Sequence, residues 1–248
     1  MKIIVNGSCG RMGREVVKLI EAGYRDSVIA AAVDINNSAN EKFPIYENIE
    51  DFDGAADCIV DFSHHTTAPA LLAYAVRRKL PIVVATTGQT EQELAVIRAA
   101  AEKIPVFFSA NMSVGIALLV RLAKTAAKAF PDADIEIVEK HHNRKLDVPS
   151  GTALMLAEGV RQVRPDSEFV IGRHENGKRE PAQVGIHSLR LGNIVGEHEV
   201  ILATDTQVIT LKHEAQSRSL FAEGALAAAE FLIAQPAGFY NMNDMIRD

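Results

Sequence analysis

The chain has 248 residues, 48% of them hydrophobic and 23% charged, a composition typical of a globular protein with a substantial core. Its formal net charge of −6 argues against binding to nucleic acid, because no basic surplus is available to neutralise phosphates. Two cysteines, Cys9 and Cys58, provide neither a disulfide framework nor a metal-ligand spacing. We recognise no signal peptide and no apolar run of about 18 residues, so we expect a cytoplasmic protein that does not enter the membrane.

The first third of the chain predicts a mononucleotide-binding unit. A β-branched strand, Lys2–Asn6, leads into the glycine turn Gly7-Ser-Cys-Gly10-Arg-Met-Gly13, and a helix follows. The second strand, residues 28–34, ends on Asp34, 21 positions after Gly13, close to the roughly 20 expected for an acid that binds a ribose hydroxyl. A glycine turn alone can simply reverse the chain, but the order of strand, turn, helix, strand and acid favours dinucleotide binding.

Asp34 also bears on the choice of cofactor. A carboxylate pairs well with the ribose diol of NADH but repels the 2′-phosphate of NADPH. The next residues, Ile35, Asn36 and Asn37, include no arginine that would offset this repulsion. We therefore predict that the chain uses NADH at least as well as NADPH.

Strands and helices continue to alternate in the middle of the chain. Strands are predicted at residues 58–62, 82–85 and 106–108, and helices at residues 68–78 and 91–102. This order predicts a parallel sheet with helices on both faces, and the carboxyl ends of its strands collect the loops at 7–13, 63–67, 86–88 and 109–113. His64 and His65 lie on one of these loops, where a solvated turn is more common than a metal site, and we predict no metal.

The second half of the chain has a different pattern. After a helix at 116–129, strands are predicted at residues 134–139, 184–191, 200–203 and 207–213. The last two strands have no helix between them, which favours an antiparallel or mixed sheet. A final amphipathic helix at 219–233 is expected to return to the first sheet.

These elements predict an α/β protein: a Rossmann-type parallel sheet domain plus a smaller α+β domain with a mixed or antiparallel sheet. The composition changes near residue 113. We therefore expect a dinucleotide-binding domain of residues 1–113 with 219–248, and a substrate-binding domain of residues 114–218.

The segment with the highest density of reactive side chains is 139–153. It places His141, His142 and Lys145 at the end of a predicted strand, just before a Pro-Ser-Gly-Thr turn. A histidine pair alone is equally well explained by one loop histidine and one buried histidine. With the lysine and the turn beside it, however, the segment favours an active site, because histidine can donate a proton at neutral pH.

The turn itself indicates an anion site. Ser150 is a good helix N-cap, and the first backbone N–H groups of the helix, those of Gly151 and Thr152, are suited to bind a carboxylate. We expect this segment to hold and protonate a small anion opposite the nicotinamide ring.

These motifs resemble those of the dihydrodipicolinate reductase family, also called 4-hydroxy-tetrahydrodipicolinate reductases, of the diaminopimelate route to lysine. The resemblance spans essentially the full chain. It is carried by Gly10-Arg-Met-Gly13, Thr86-Thr-Gly88, Asn111-Met-Ser-Val-Gly115, residues 136–152 and Ile194-Val-Gly-Glu-His198. The pattern His-His-x-x-Lys-x-Asp-x-Pro-Ser-Gly-Thr is highly specific to the family, whereas the glycine turn is not.

The resemblance implies reduction of 4-hydroxy-tetrahydrodipicolinate, or its dehydrated form, to tetrahydrodipicolinate by hydride transfer from NAD(P)H. It implies that His141 donates the proton and that Lys145 is the second catalytic group. The dicarboxylate substrate would bind to His142, Ser150, Gly151 and Thr152. The cofactor would bind to Gly7, Ser8, Cys9, Gly10, Arg11, Met12, Asp34, Ala85, Thr86, Thr87, Ser109, Ala110, Asn111 and Met112. Family members are usually homotetramers built through the second domain's sheet.

At three positions, the residue differs from the one that is common in the family. Ala85 and Met112 stand where glycine and phenylalanine are common, and Ile35 where an arginine helps some members to accept NADPH. The first two lie beside the expected nicotinamide, so they could alter cofactor affinity.

Two other functions remain open. The chain could be another two-domain NAD(P)-dependent dehydrogenase of amino-acid or sugar metabolism, which would not require the 139–153 segment. It could also be a non-catalytic NAD(H)-sensing protein.

Overall fold

The computed structural model describes residues 1–36 and 42–246, so Asn37 lies outside the described part. The chain forms two compact units, one of Met1–Ser113 with Arg218–Asp248 and one of Val114–Ser217. The strands are β1 Lys2–Asn6, β2 Val28–Val33, β3 Ile45–Tyr46, β4 Cys58–Asp61, β5 Ile82–Val84, β6 Pro105–Phe108, β7 Asp134–His141, β8 Glu168–Ile171, β9 Gln183–Arg190, β10 Gly196–Ala203, β11 Val208–Ala215 and β12 Gly238–Tyr240. The helices are α1 Arg11–Glu21, α2 Ala68–Arg78, α3 Glu91–Ala101, α4 Val114–Ala129, α5 Gly151–Arg161, α6 Ser219–Leu232 and α7 Met242–Met245.

The first unit contains a seven-stranded sheet in the order β12-β6-β5-β4-β1-β2-β3. Every neighbouring pair in it is parallel, so the predicted parallel sheet is confirmed. The two edge strands, β3 and β12, have only two and three residues. Strands this short show no periodicity, and the sequence did not predict them.

Helices cover both faces of the first sheet. Ile4, Ile59 and Ile82 pack with α2 and α3 in one core. The neighbours of Ile4 along β1, Ile3 and Val5, are also fully buried, and alternation along a strand directs them to the opposite face. Helix α6 packs against β4, β5 and β6. The sheet is therefore enclosed by helices.

The second unit contains a five-stranded sheet in the order β11-β10-β7-β9-β8. Strand β10 is antiparallel to β7 and β11, whereas β9 is parallel to β7 and β8, so the predicted mixed sheet is confirmed. Helices α4 and α5 cover one face, where Ile135, Ile137 and Leu156 are fully buried.

Two strands of this sheet are longer than predicted. Strand β7 continues from Glu139 to His141, and β10 begins at Gly196 rather than near residue 200. Apart from Gly196, both extensions consist of polar residues that are buried or partly buried, so an apolar pattern could not reveal them.

Within the described residues, none of the helices combines the length and the apolar composition that crossing a membrane would require.

Candidate active site

Strand β7 places Glu139 and His141 on the same buried face, because side chains two positions apart in a strand point the same way. Glu139 is fully buried and His141 is 8% exposed. The Nδ1 atom of His141 lies 2.5 Å from Oε2 of Glu139. We assign the proton of this hydrogen bond to Nδ1, because an ionised carboxylate can only accept. The ring atom left for other chemistry is Nε2.

Glu139 is held by two further groups. Arg190, at the end of β9, donates from Nη2 to Oε1 at 2.6 Å and from Nη1 to Oε2 at 2.7 Å, which is the bidentate geometry of a strong charge-assisted pair. The backbone N–H of Ser150 donates to Oε1 at 3.1 Å. Burial alone would raise the pKa of Glu139, but the hydrogen bonds from His141, Arg190 and Ser150 hold it well below its usual range. Glu139 is therefore a carboxylate at neutral pH.

His142 and Lys145 lie in the turn that follows β7. His142 is half-buried, and its backbone N–H donates to the carbonyl of Ile194 at 2.8 Å. The Nζ atom of Lys145 pairs with Oδ1 of Asp147 at 2.8 Å, and this hydrogen bond lowers the pKa of the Asp147 carboxyl group. Lys145 thus has a counter-ion within its own loop, which an incoming anion would have to displace or join.

The N-terminus of α5 adjoins this cluster. Ser150 is the N-cap of α5, since its Oγ accepts from the backbone N–H of Ala153 at 3.2 Å, and this prediction is confirmed. A Cβ atom added to Gly151 would meet nothing within 4 Å, so the space beside the first turn is open. Backbone N–H groups and the helix dipole together favour an anion at such a position.

His198 is a member of the cluster to which the sequence assigned no role. Its Nε2 lies 3.1 Å from Oγ of Ser150, and its ring meets the His141 ring edge-on with centroids 5.1 Å apart. Burial and the neighbouring His141 lower the pKa of His198 to about 3, so it is neutral at physiological pH. Within the described residues, its Nδ1 has no hydrogen-bond partner.

Gly196 borders the reactive face of His141. A Cβ atom at this position would lie 3.1 Å from Nε2 of His141. Ordinary contacts between heavy atoms start at about 3.5 Å, so only glycine leaves Nε2 uncrowded here.

Sequence reasoning therefore missed four neighbours of His141, namely Glu139, Arg190, His198 and Gly196. The one available signal was Glu139, two positions before His141 on a predicted strand. Arg190 lies 51 positions from Glu139, and only the parallel register of β7 and β9 brings them together.

In the first unit, the glycine turn is tightly closed. Gly7 has a φ of 77°, and a Cβ atom there would lie 2.7 Å from the backbone of Phe62. A Cβ atom at Gly13 would lie 2.0 Å from the carbonyl oxygen of Gly7. Side chains are thus excluded at Gly7 and Gly13, and the exposed Gly10 is the N-cap of helix α1. The turn has the form of a phosphate cradle at a helix N-terminus.

Asp34 lies against this turn, as the mononucleotide-binding pattern requires. Its Oδ2 accepts from the backbone N–H of Cys9 at 2.8 Å, and its Oδ1 accepts from that of Asn36 at 2.9 Å. Each carboxylate oxygen has a second lone pair, so Asp34 can still accept from a ribose hydroxyl. The turn and the acid together fit a dinucleotide.

The remaining predicted cofactor residues follow neighbouring strands or begin α1. Arg11 and Met12 begin α1, Ala85, Thr86 and Thr87 follow β5, and Ser109, Ala110, Asn111 and Met112 follow β6. Because β1, β2, β5 and β6 belong to one parallel sheet, their carboxyl ends share an edge.

A buried carboxylate, Asp61, connects the strand ends at this edge of the sheet. The sequence analysis did not predict this role. It is 1% exposed and accepts from Nδ2 of Asn6 at 2.8 Å, Oγ of Ser63 at 2.5 Å and Oγ1 of Thr86 at 2.8 Å. These bonds join the ends of β1, β4 and β5. Met112 and Ala85, the two departures beside the expected nicotinamide, are buried at 2% and 8% exposure.

The histidine pair in the loop after β4 bonds to neighbouring residues. His65 Nδ1 lies 2.9 Å from Oε1 of Glu93, and His64 Nδ1 lies 2.9 Å from Oγ1 of Thr66. In the described parts of the chain, no three His, Cys, Asp or Glu side chains are grouped as the ligands of a metal ion would be.

Comparison with known proteins identifies the family. Residues 1–112 match the model of the dihydrodipicolinate reductase N-terminus, and residues 115–246 match that of its C-terminus. The chain belongs to the dihydrodipicolinate reductase family. The resemblance inferred from the sequence motifs is therefore confirmed.

Individual relatives agree with the family assignment, and a solved structure agrees with the fold. The 4-hydroxy-tetrahydrodipicolinate reductase of Caldanaerobacter subterraneus subsp. tengcongensis is 47% identical, with 100% of this chain and 98% of the relative covered. That of Clostridium tetani is 42% identical over 99% of this chain and 97% of the relative. Among solved structures, the dipicolinate-bound dihydrodipicolinate reductase of Paenisporosarcina sp. TG-14 matches with a TM-score of 0.83, 24% identity and 98% coverage of both chains, which supports the fold.

Proposed function

We propose that the chain reduces 4-hydroxy-tetrahydrodipicolinate, or its dehydrated form, to tetrahydrodipicolinate with NAD(P)H, in the diaminopimelate route to lysine. Two whole-length relatives that bear the name of this reductase support the reaction. The observation in the structure that carries the proposal is the His141–Glu139 pair beside the N-terminus of α5, since it combines a proton donor with an anion site.

The dinucleotide would lie on the glycine turn, with its pyrophosphate at the N-terminus of α1 and a ribose hydroxyl on Asp34. Ala85 to Thr87 and Ser109 to Met112 would complete the cofactor site. When bound, the reduced nicotinamide supplies the hydride. Asp34 supports a preference for NADH, because its charge would repel the 2′-phosphate of NADPH.

His141 would donate the proton. Addition of hydride to the conjugated cyclic imine leaves an enamine, and Nε2 of His141 protonates its carbon. Glu139 occupies Nδ1, so the proton can leave only from Nε2. The open space that Gly196 leaves in front of this atom supports the assignment.

The remaining residues would hold the substrate's two carboxylates. The backbone N–H groups of Gly151 and Thr152, with Ser150 and His142, would bind one or both carboxylates. Lys145 would exchange or share its contact with Asp147 and so neutralise the negative charge that grows as hydride is added.

We also expect a cytoplasmic homotetramer assembled through the sheet of the second unit. Helices α4 and α5 cover one face of this sheet. The other face carries partly buried apolar side chains, such as Val138 and Ile201, between charged ones. Such a mixed surface suits contact with a second copy of the chain.

One experiment separates the proposed function from its alternatives. The substrate is made in situ from pyruvate and aspartate semialdehyde, and loss of NADH absorbance is followed. We expect rapid oxidation of NADH that depends on the cyclic imine. A non-catalytic NAD(H) sensor would bind NADH without this oxidation, and another dehydrogenase would oxidise it only with a different substrate.

A further inference from the structure

Glu139 is fully buried, and hydrogen bonds fix both of its carboxylate oxygens: two come from the guanidinium of Arg190, one from Ser150 and one from His141. Three of these donors hold the carboxylate in place, and the fourth is the ring of the proposed proton donor. We propose that Glu139 is a positioning residue that holds the His141 ring by Nδ1 and so fixes its tautomer and orientation, and that Arg190 fixes Glu139 for this task. The inference rests on the proposed function.

The geometry assigns each partner a separate effect. The hydrogen bond at Nδ1 fixes the tautomer, because a carboxylate can accept from Nδ1–H but cannot donate to a bare nitrogen. The same hydrogen bond, 2.5 Å long between Nδ1 and Oε2, also fixes the orientation of the ring and leaves Nε2 as the atom that faces other groups. The bidentate contact with Arg190 prevents the carboxylate from turning away.

Arg190 also links this pair to the rest of the site. Its Nη2 donates to the backbone carbonyl of Asp147 at 2.9 Å, and the side chain of Asp147 pairs with Lys145. The guanidinium therefore connects the strand that carries His141 with the loop that carries Lys145. Substitution of Arg190 would disturb both, so Glu139 is the cleaner position for a test.

The strand offers a matched control. Glu136, three positions earlier and hence on the opposite face of β7, also pairs with a histidine and an arginine: Nε2 of His187 at 2.8 Å and Nε of Arg179 at 3.3 Å. Glu136→Gln removes the same charge from the same strand without touching His141. Because this face is also the expected interface between copies of the chain, gel filtration must show that the variant keeps the wild-type oligomeric state.

The test compares Glu139→Gln, Glu136→Gln and the wild type in the coupled assay. Glutamine keeps the size of the side chain, but its amide is neutral and can donate to Nδ1. We expect kcat of Glu139→Gln to fall by about 10- to 10²-fold. Glu136→Gln should keep the wild-type kcat.

A spectroscopic measurement separates positioning from a general loss of structure. The ¹⁵N shifts of the His141 ring report which nitrogen of the neutral form carries the proton. We expect Nδ1–H in the wild type and a shift toward Nε2–H in Glu139→Gln, with the NADH affinity unchanged. An unchanged tautomer and an unchanged kcat in a folded Glu139→Gln would overturn the inference.

A replacement variant and the activity of the wild type cover the two remaining outcomes. If Glu139→Gln fails to fold, Arg190→Lys replaces it, since lysine keeps the charge but loses the two-pronged contact. A wild-type tautomer and a wild-type kcat in Arg190→Lys would then overturn the proposed role of the Arg190 contact. If the wild type itself does not oxidise NADH with the cyclic imine, the proposed function fails, and this result is distinct from a wild-type enzyme whose Glu139→Gln variant is normal.

Discussion

Gly196→Ala tests how closely the position of His141 controls turnover. The added Cβ atom would lie 3.1 Å from Nε2 of His141, whereas an unstrained contact begins at about 3.5 Å. The ring would therefore have to move by about 0.4 Å. It cannot do so freely, because Glu139 holds Nδ1 at 2.5 Å and the His198 ring packs edge-on beside it.

The size of the effect follows from this displacement. A misplacement of about 1 Å costs roughly 10²-fold in rate, so a shift of about 0.4 Å corresponds to about 5- to 10-fold. We expect kcat to fall by that factor in the coupled NADH assay, and more steeply in Gly196→Val. NADH affinity, measured by fluorescence titration, should not change, because the glycine turn and Asp34 belong to the other unit. A folded Gly196→Ala protein with wild-type kcat would show that the position of the His141 ring does not limit turnover.

Three further predictions concern charge. Lys145→Ala should lower kcat and raise KM for the cyclic imine, and an unchanged KM would contradict its role in holding the anion. Steady-state kinetics should give kcat/KM for NADH at least equal to that for NADPH, since Asp34 opposes the 2′-phosphate; a strong preference for NADPH would contradict this. His198 binds its proton more weakly in the folded chain, where its pKa is about 3, than when unfolded. The contribution of His198 to the free energy of unfolding should therefore decrease as the pH falls from about 6.5 toward 3. The decrease should be about 2 kcal/mol between pH 7.5 and 5. Denaturant unfolding should show that His198→Gln loses less of its free energy of unfolding than the wild type over the same pH range.

Local sequence patterns predicted much of the fold because most elements are regular. The prediction for β1 matches the observed strand, and that for α2 matches the observed helix, since each is bounded by clear signals. The start of β10 was hidden, because Glu197, His198 and Glu199 interrupt the apolar pattern although they are part of the strand. Edge strands such as β12 are too short to carry a pattern.

The candidate site was predictable only where it is continuous in sequence. Ser150 could be recognised as an N-cap from its own neighbours. The partners of Glu139 and Asp61 could not be recognised in this way, because Arg190 and Thr86 reach these carboxylates through strand pairing between distant segments. Such pairing depends on register, which side-chain periodicity within one strand does not specify.

The role of His141 as proton donor is tested most directly by the turnover of His141→Gln with NADH and the cyclic imine made in situ. We expect kcat to fall by about 10²- to 10⁴-fold, the usual contribution of a positioned general acid, while NADH binds as tightly as to the wild type. Wild-type turnover by a folded His141→Gln protein would contradict the claim that His141 donates the proton.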